Sequence, residues 1–401
     1  PTVADMPFTK IANFSGINNR VDPTKLGLEW QLIAQNTLCD NAQYHVIRPG
    51  YDEFLPDAVD AYGTDDGRLF VVTSIGILLE VSSDGSTRQR LSGFTGAPFQ
   101  WTELGYAIFA MSESASWIIY PDRVVAWRIP TLDSPAITLT VGTLSAGTYL
   151  SGCILIDSDG RQGGCSGISS IQVADGKGVI ITSPEVAGYT TRVYFSNKNG
   201  KLLYYAGNLS SGSITITSAP SEGPRLTTQN FYPPPLNSII SAHGSRICVS
   251  AWEPEQDRSI LYWSKPGFPH LFDFESSYQI IAGKVMLLTQ AQGILLIGTD
   301  RAIFSYQAEN SIQQLSNYGA LNDTAQRLDS GQIAFWTDQG LCRFPPFENI
   351  TNEILAADNR SLSSASILCH DGSDYYIVAM LGDIRKQSPL SPYTPLPVTV
   401  A

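Results

Sequence analysis

The chain has 401 residues, the length of about two or three average domains. Hydrophobic residues make up 43% of it and charged residues only 15%, so it can bury sizeable cores but is unsuited to long, charge-rich helices. The formal net charge of −12 argues against a protein that grips nucleic acid through its phosphates. The longest apolar runs have only the length of a strand, so we expect no membrane insertion.

The pattern of apolar and turn residues in positions 1–51 differs from that of the rest of the chain, and we interpret this segment as an N-terminal arm. Residues 26–39 carry Leu28, Leu32 and Leu38 at spacings that fit one face of a helix. A loop rich in Gly and Asn precedes this window, and Arg48-Pro-Gly-Tyr51 reads as a turn after it. The pattern therefore predicts one short helix in the arm.

From residue 68 onward, short apolar or alternating runs dominate and are bounded by Gly, Asn and Asp-Gly. They come in pairs around tight turns, as in Gly293-Ile-Leu-Leu-Ile-Gly298 followed by Ala302-Ile-Phe-Ser-Tyr306. The pairs recur about every 40 residues, the length of a four-stranded propeller blade. We therefore predict an all-β fold, with a β-propeller of about five or six blades built from residues 52–134 and 225–385.

The recurrence is interrupted over residues 135–224, which read as seven short strands between Pro-rich boundaries. This density of strands fits an immunoglobulin-like sandwich better than two further blades. The pattern predicts that this segment is an inserted, separate body. Residues 386–401 carry four prolines and are interpreted as an extended tail.

Residue types that carry catalysis are present but not arranged for it. The four histidines lie in different segments, and no zinc-ligand, P-loop or dinucleotide-binding spacing occurs. Gly163-Gly-Cys-Ser-Gly167 is the nearest approach to a nucleophile elbow, but its serine falls in the wrong place, so we interpret it as a small-residue strand exit. Most paired aspartates, such as Asp157 and Asp159, adjoin glycine, where they cap turns. We expect no catalytic residue, cofactor or metal site, and the chain is predicted not to be an enzyme.

Two of the six cysteines, Cys153 and Cys165, flank a predicted turn at residues 158–160. Counting outward from that turn pairs Ile156 with Gln162 and, further out, the two cysteines with each other. The wide spacing of the remaining cysteines is typical of a reducing compartment. We therefore expect neighbouring thiols without a disulfide.

Several segments resemble virion proteins of tailed bacteriophages. They are Phe8-Thr-Lys-Ile11, Asn13-Phe-Ser-Gly-Ile-Asn-Asn-Arg20, Arg48-Pro-Gly-Tyr51, the hairpin from Thr148 to Gly164, and Thr191-Arg-Val-Tyr-Phe-Ser196. The hairpin departs from the expected pattern at Gln162, where the family would carry a glutamate. The resemblance covers most of the chain, and it implies a propeller with a fibronectin type III-like insertion, as in tail nozzles, hubs and tail tips.

The resemblance implies a non-enzymatic structural component of a phage tail or head–tail complex, made in the host cytoplasm and located in the virion. Expected partners are other tail or head–tail proteins and further copies in a ring through which DNA passes transiently. A tail-tip protein that binds a receptor on the host surface is the alternative, and a carbohydrate-active propeller enzyme is the less favoured one. The proposed interface residues are Asn13, Phe14, Gly16, Asn18, Asn19, Arg20, Arg48, Phe231 and Tyr232.

Overall fold

The computed structural model describes residues 57–351, apart from positions 65, 83, 95–97, 166, 221–222, 308–310, 323 and 329, and the backbone of six strands outside that range. The regular structure described is β, except for one short 3-10 turn at Pro254–Gln256. No helix in these residues has the length and apolar character needed to cross a membrane. The chain divides into two compact units, Leu55–Lys284 and the combination of Pro1–Phe54 with Val285–Ala401.

The described parts of the arm are strands, so the helix predicted over residues 26–39 is wrong there. Four short strands form a parallel pair (β1 with β2) and a hairpin (β3 with β4): β1 Gly16–Ile17, β2 Trp30–Gln31, β3 Thr37–Cys39 and β4 His45–Ile47. In the hairpin, Leu38 lies opposite Val46. An apolar run this short fits a helix and a strand equally well, and a β-branched partner a few residues away favours the hairpin.

Two four-stranded antiparallel sheets begin the unit Leu55–Lys284, each with its strands paired in chain order. The first contains β5 Ala58–Gly63, β6 Leu69–Thr73, β7 Ile77–Val81 and β8 Thr87–Ser92. The second contains β9 Gln100–Leu104, β10 Ala107–Met111, β11 Ser116–Ile119 and β12 Val124–Ala126. Every residue of β10 is buried, which explains why its sequence is a continuous apolar run rather than an alternating one.

The next seven strands, here called the seven-strand segment, form two sheets with a different connectivity. The strands are β13 Ala136–Leu144, β14 Gly147–Ile156, β15 Ile168–Val173, β16 Lys177–Thr182, β17 Thr190–Ser196, β18 Leu203–Asn208 and β19 Ser213–Ile216. One sheet has the order β13-β16-β19 and the other the order β15-β14-β17-β18. The chain therefore crosses repeatedly from one sheet to the other, with β14 and β15 and then β17 and β18 as consecutive strands of the same sheet, unlike the chain-order pairing before them.

A six-stranded sheet completes this unit. Its strands are β20 Phe231–Tyr232, β21 Ile239–His243, β22 Arg246–Glu253, β23 Arg258–Lys265, β24 Phe268–Asp273 and β25 Tyr278–Ala282. The path β21-β22-β23-β25 repeats the four-stranded pattern, while β24 and β20 pair onward from the far end of β23.

The other unit holds two more four-stranded antiparallel sheets and a hairpin. The first sheet contains β26 Val285–Ala291, β27 Ile294–Thr299, β28 Ile303–Gln307 and β29 Ser311–Ser316. The second contains β30 Gln326–Arg327, β31 Ile333–Thr337, β32 Gly340–Phe344 and β33 Glu348–Asn349. The hairpin consists of β34 Leu362–His370 and β35 Ser373–Met380. The predicted extended tail, residues 386–401, lies outside the described residues.

Hydrophobic cores join sheets that are neighbours in this series. Phe70 of β6 and Ile108 of β10 belong to one buried cluster, and Phe109 of β10 and Val249 of β22 belong to another. In the other unit, Leu296 of β27 and Phe335 of β31 share a third cluster. The four-stranded sheets are thus covered on their faces by one another. The seven-strand segment differs, because its two sheets enclose a cluster of their own.

Candidate functional site

Most of the proposed interface residues lie outside what the structure describes. This applies to Asn13, Phe14, Asn18, Asn19, Arg20 and Arg48, while for Gly16 only the backbone of β1 is described. Their assignment to an interface stays a prediction.

Phe231 and Tyr232 are described, and they lie where the seven-strand segment meets the six-stranded sheet. Both are half-buried in β20, which pairs with β24. The Tyr232 ring stacks on Phe274 with centroids 5.2 Å apart, and the Lys265 ammonium lies 5.0 Å from the Phe231 ring centroid. Within this chain, the two aromatic residues serve an internal contact, and the part of each ring that stays exposed is what a partner could reach.

A glycine-rich loop, residues 163–167, runs beside β20 and explains the run Gly163-Gly-Cys-Ser-Gly167. A β-carbon on Gly163 would lie 2.7 Å from the Ile129 Cγ2 atom, and one on Gly164 would overlap the Phe231 carbonyl oxygen. The Cys165 amide donates to the Thr228 carbonyl at 2.9 Å. Here glycine is needed for the close approach of two backbones, which is a structural role.

An ion pair in the turn before this loop fixes the segment to β12. Asp157 and Arg161 form a salt bridge of 2.6 Å, with 10% and 14% of their side chains exposed. The Asp157 carboxylate also accepts hydrogen bonds from the Asp159 and Arg161 amides, as the turn prediction required. Arg161 then donates from Nη2 to the Ala126 carbonyl at 2.6 Å. One guanidinium therefore closes its own turn and reaches the neighbouring sheet.

His270 makes a second link, from β24 to the same turn. Its Nε2 lies 3.0 Å from the Gln162 carbonyl oxygen, and because a carbonyl only accepts, Nε2 carries the proton. Burial, and secondarily the positive charge of Arg161, lowers the pKa of His270 to about 4. The ring is thus a neutral hydrogen-bond donor near pH 7.

Trp127 is the buried aromatic residue of the same contact region. It is fully buried, its ring centroid lies 5.1 Å from that of Phe109, and its Nε1 donates to the Pro269 carbonyl at 2.8 Å. We call this set of contacts around Trp127, residues 157–167, residues 228–232 and His270 the junction. No sequence motif marked Arg161, His270 and Trp127 as acting together, since they are far apart along the chain.

The register predicted for Cys153 and Cys165 holds only next to the turn. Ile156 does pair with Gln162, but the next paired residue, Gly152, lies opposite Ile168, two residues further along than the simple hairpin requires. Cys165 instead bridges to Gln229. The strand leaves the hairpin because its backbone hydrogen bonds go to residues 228–230. Both thiols are buried and unbonded.

The four described cysteines are buried thiols. Burial raises the pKa of the Cys153 thiol to about 12 and raises those of Cys165, Cys248 and Cys342, so these thiols stay protonated and unreactive. Over residues 57–351, with the gaps given above, no three His, Cys, Asp or Glu side chains are grouped to hold a metal ion.

The sequence did not predict which apolar side chains are exposed in the structure. Val141 of β13 is 80% exposed and Tyr106, in the turn after β9, is 73% exposed. Tyr106 lies 6.0 Å from the Tyr120 ring, and Arg123 lies over Tyr120 and pairs with Asp159 of the segment. The alternating pattern of a strand tells which residues share a face but not which face lacks a neighbour.

Comparison with known proteins finds only distant matches among solved structures. No protein-family profile matches the chain, and no curated protein matches it. Among solved structures, a streptogramin B lyase is 13% identical over 81% of this chain and 92% of its own, with a TM-score of 0.34. BBS1N, in a complex with ARL6DN, is 11% identical over 87% of this chain and 94% of its own, also with a TM-score of 0.34.

Proposed function

We propose that the chain is a non-enzymatic structural component of a bacteriophage tail or head–tail complex, as a nozzle, hub or tail-tip ring. In this proposal the chain-order sheets are blades of a β-propeller with about five or six blades. The seven-strand segment is a fibronectin type III-like insertion over residues 135–224. The protein works in the virion by assembly with further copies and with other tail proteins.

One observation carries the proposal, namely that the seven-strand segment leaves the blade series undisturbed. Phe109 of β10 and Val249 of β22 share a core although about 140 residues separate them in the chain, and Trp127 packs into the same core. The segment between them closes a core of its own. Such an arrangement is what an insertion between two consecutive blades would give.

The junction supports an assembly role because it makes the insertion rigid. Its contacts include the buried pair Asp157–Arg161, the His270 hydrogen bond and the close backbone approach at Gly164. A body held in this way can transmit a fixed spacing to a neighbouring subunit. The net charge of −12 also suits a ring through which DNA passes, because an acidic wall repels phosphates.

The test is incorporation into particles of the phage whose genome encodes the chain. A variant lacking residues 1–25 should keep the strand-rich circular dichroism spectrum of the full chain but be missing from assembled virions. The matched control is Lys201→Ala, in an exposed turn of the segment, which should be incorporated normally. Absence of the full-length chain from purified virions would overturn the proposal, and normal incorporation of the truncated chain would overturn the role of the arm.

A further inference from the structure

A cavity in the unit that contains β26–β33 has no part in the assembly proposal. Its volume is about 660 Å³, within the range of small-molecule sites. The side chains and backbone that line it are mostly polar: Asp300, Arg301, Asn317, Tyr318, Asp338 and Asn349, with Gly319 and Gln339 completing the wall.

Two equivalent turns of neighbouring sheets contribute to this wall. One is Thr299-Asp-Arg-Ala302 between β27 and β28, and the other is Thr337-Asp-Gln-Gly340 between β31 and β32. In each turn, the hydroxyl of a fully buried threonine, Thr299 or Thr337, accepts a hydrogen bond from the backbone amide two residues later, at 3.2 Å in both turns. The same hydroxyl donates a hydrogen bond to the backbone carbonyl three residues later. The repeat of the sheet thus places Asp300 and Asp338 at matching positions beside one cavity.

The aspartates are not needed to close these turns. The corresponding turn of the first sheet, Thr73-Ser-Ile-Gly76, is closed without an aspartate: the Gly76 amide donates to the Thr73 carbonyl at 3.0 Å, and the Thr73 hydroxyl accepts from the Ile77 amide at 3.1 Å. Thr299 and Thr337 provide the closing hydroxyl in the cavity turns. A carboxylate at both positions therefore calls for an explanation other than turn geometry.

The connector after β29 holds the two turns together and supplies the rest of the wall. Ala320 donates its amide to the Thr299 carbonyl at 2.8 Å and forms a β-bridge with Thr337. A β-carbon on Gly319 would overlap the Asp300 carbonyl, so the connector touches the first turn directly. Asn349 is fixed by a 3.1 Å hydrogen bond from its Nδ2 to the Gln339 carbonyl. The cavity is built from restrained parts.

Asp338 has hydrogen-bonding capacity that the protein leaves unused. Its Oδ1 is buried and has no hydrogen-bond partner, whereas the carboxylate of Asp157, also in a turn, accepts several hydrogen bonds. Burial raises the pKa of Asp338. A buried carboxylate oxygen without a partner is costly, so a donor that reaches it would stabilise the folded chain.

The charges of the wall favour a ligand without charge. Two carboxylates, Asp300 and Asp338, outnumber the one guanidinium, Arg301, so an anion would be repelled. The Nε atom of Arg301 lies 3.8 Å from the Oδ2 atom of Asp300, so the positive charge of Arg301 disfavours a cation at this position. The lining includes acceptors, donors and one aromatic ring, Tyr318, and a sugar hydroxyl both donates and accepts.

We infer that this cavity binds a neutral saccharide, with Asp300 and Asp338 accepting from its hydroxyls, Asn317 and Arg301 donating to them, and Tyr318 lining the ring face. The inference stands apart from the proposed function, since a chain absent from virions could still have this site. It would give the protein a contact with the sugar polymers of a cell surface.

The experiment is a titration of the full chain with three neutral probes, maltotriose, cellotriose and chitotriose, followed by saturation-transfer NMR. At least one probe should bind with a dissociation constant of about 10 mM or tighter. Asp338→Asn, which keeps the side-chain shape, and Asn317→Ala should each weaken that binding by roughly tenfold.

The matched control is Asp84→Asn, the same chemical change in an exposed turn of the first sheet, which should bind like the unaltered chain. Thermal melting of every variant shows whether the fold is kept, and Asp300→Asn replaces any variant that melts early. Lack of binding by all three probes would overturn the inference. So would equal binding by the unaltered chain and the cavity variants, or tighter binding of a sialylated trisaccharide.

Discussion

The seven-strand segment and the four-stranded sheets bury their apolar residues in opposite ways. The segment closes a core between its own two sheets, with Tyr149 and Phe195 stacked 5.3 Å apart inside it. The larger cores of the four-stranded sheets are shared between neighbouring sheets of the same unit. In the series, stability therefore depends on contacts between neighbouring sheets, as in repeat proteins. The core of the segment depends only on the segment's own two sheets.

The same difference is visible along single strands. All five residues of β10 are buried, because both faces of its sheet are covered. In β13 exposed residues recur along the strand, because the outer face of its sheet is not covered. Two kinds of hydrophobic pattern thus report two kinds of packing within one chain.

The largest effect is expected from Trp127→Ala, which empties a core shared by two sheets. We expect it to lower the free energy of unfolding by about 3–5 kcal/mol, since a fully buried aromatic side chain is lost. Amide hydrogen exchange should accelerate in β10 and β22 together, because both strands contribute to that core.

The matched variant for Trp127→Ala is Ile181→Ala in the core of the seven-strand segment. It should cost about 2–5 kcal/mol, with faster exchange confined to residues 136–216. Accelerated exchange over both regions in both variants would show that the two cores are one cooperative unit.

A pH effect of similar size should come from His270, which links the two regions. Its pKa is about 4 in the folded chain against 6.5 for the free side chain, so the unfolded chain binds one more proton between these values. Stability should therefore fall as the pH is lowered from about 6.5 to 4, by up to about 3 kcal/mol.

Urea titrations of the unaltered chain and of His270→Gln at several pH values measure this contribution. The glutamine keeps an amide donor for the Gln162 carbonyl but does not titrate. The stability of the unaltered chain relative to that of His270→Gln should fall steadily from about pH 6.5 towards pH 4. A constant difference across that interval would contradict the neutral, buried state of His270.

A smaller effect is expected where the backbones of the two regions approach. Gly164→Ala places a methyl group on the Phe231 carbonyl and should cost about 1–3 kcal/mol, because one backbone must move. Gly63→Ala, at the end of β5, meets nothing within 4 Å and should change stability by less than about 1 kcal/mol. Equal costs at the two positions, measured by urea denaturation, would mean that the loop has room to shift.

The smallest effect is expected from Arg123→Ala, which removes a surface ion pair between the regions. Arg123 pairs with Asp159 at 3.1 Å, but 47% of its side chain is exposed, and exposed pairs contribute little. The melting temperature should stay within the replicate scatter of the unaltered chain. A clear drop would show that the link between the regions also depends on this pair and on the Tyr120 ring beneath it.

The sequence by itself determined many of the strands and turns that follow the arm. Periodicity and turn residues are local signals, so β27 and β28 lie where the pattern predicted them, and Asp157 caps the predicted turn. Contacts between residues that are far apart in the chain were decided only by the tertiary structure. Cys165 leaves its hairpin to bond to residues near 229, residues 37–39 pair as a strand instead of forming a helix, and Arg161, His270 and Trp127 meet at one junction. The pairing of the cavity aspartates belongs to the same class, since Asp300 and Asp338 become neighbours only when two equivalent turns are brought together by the sheets that carry them.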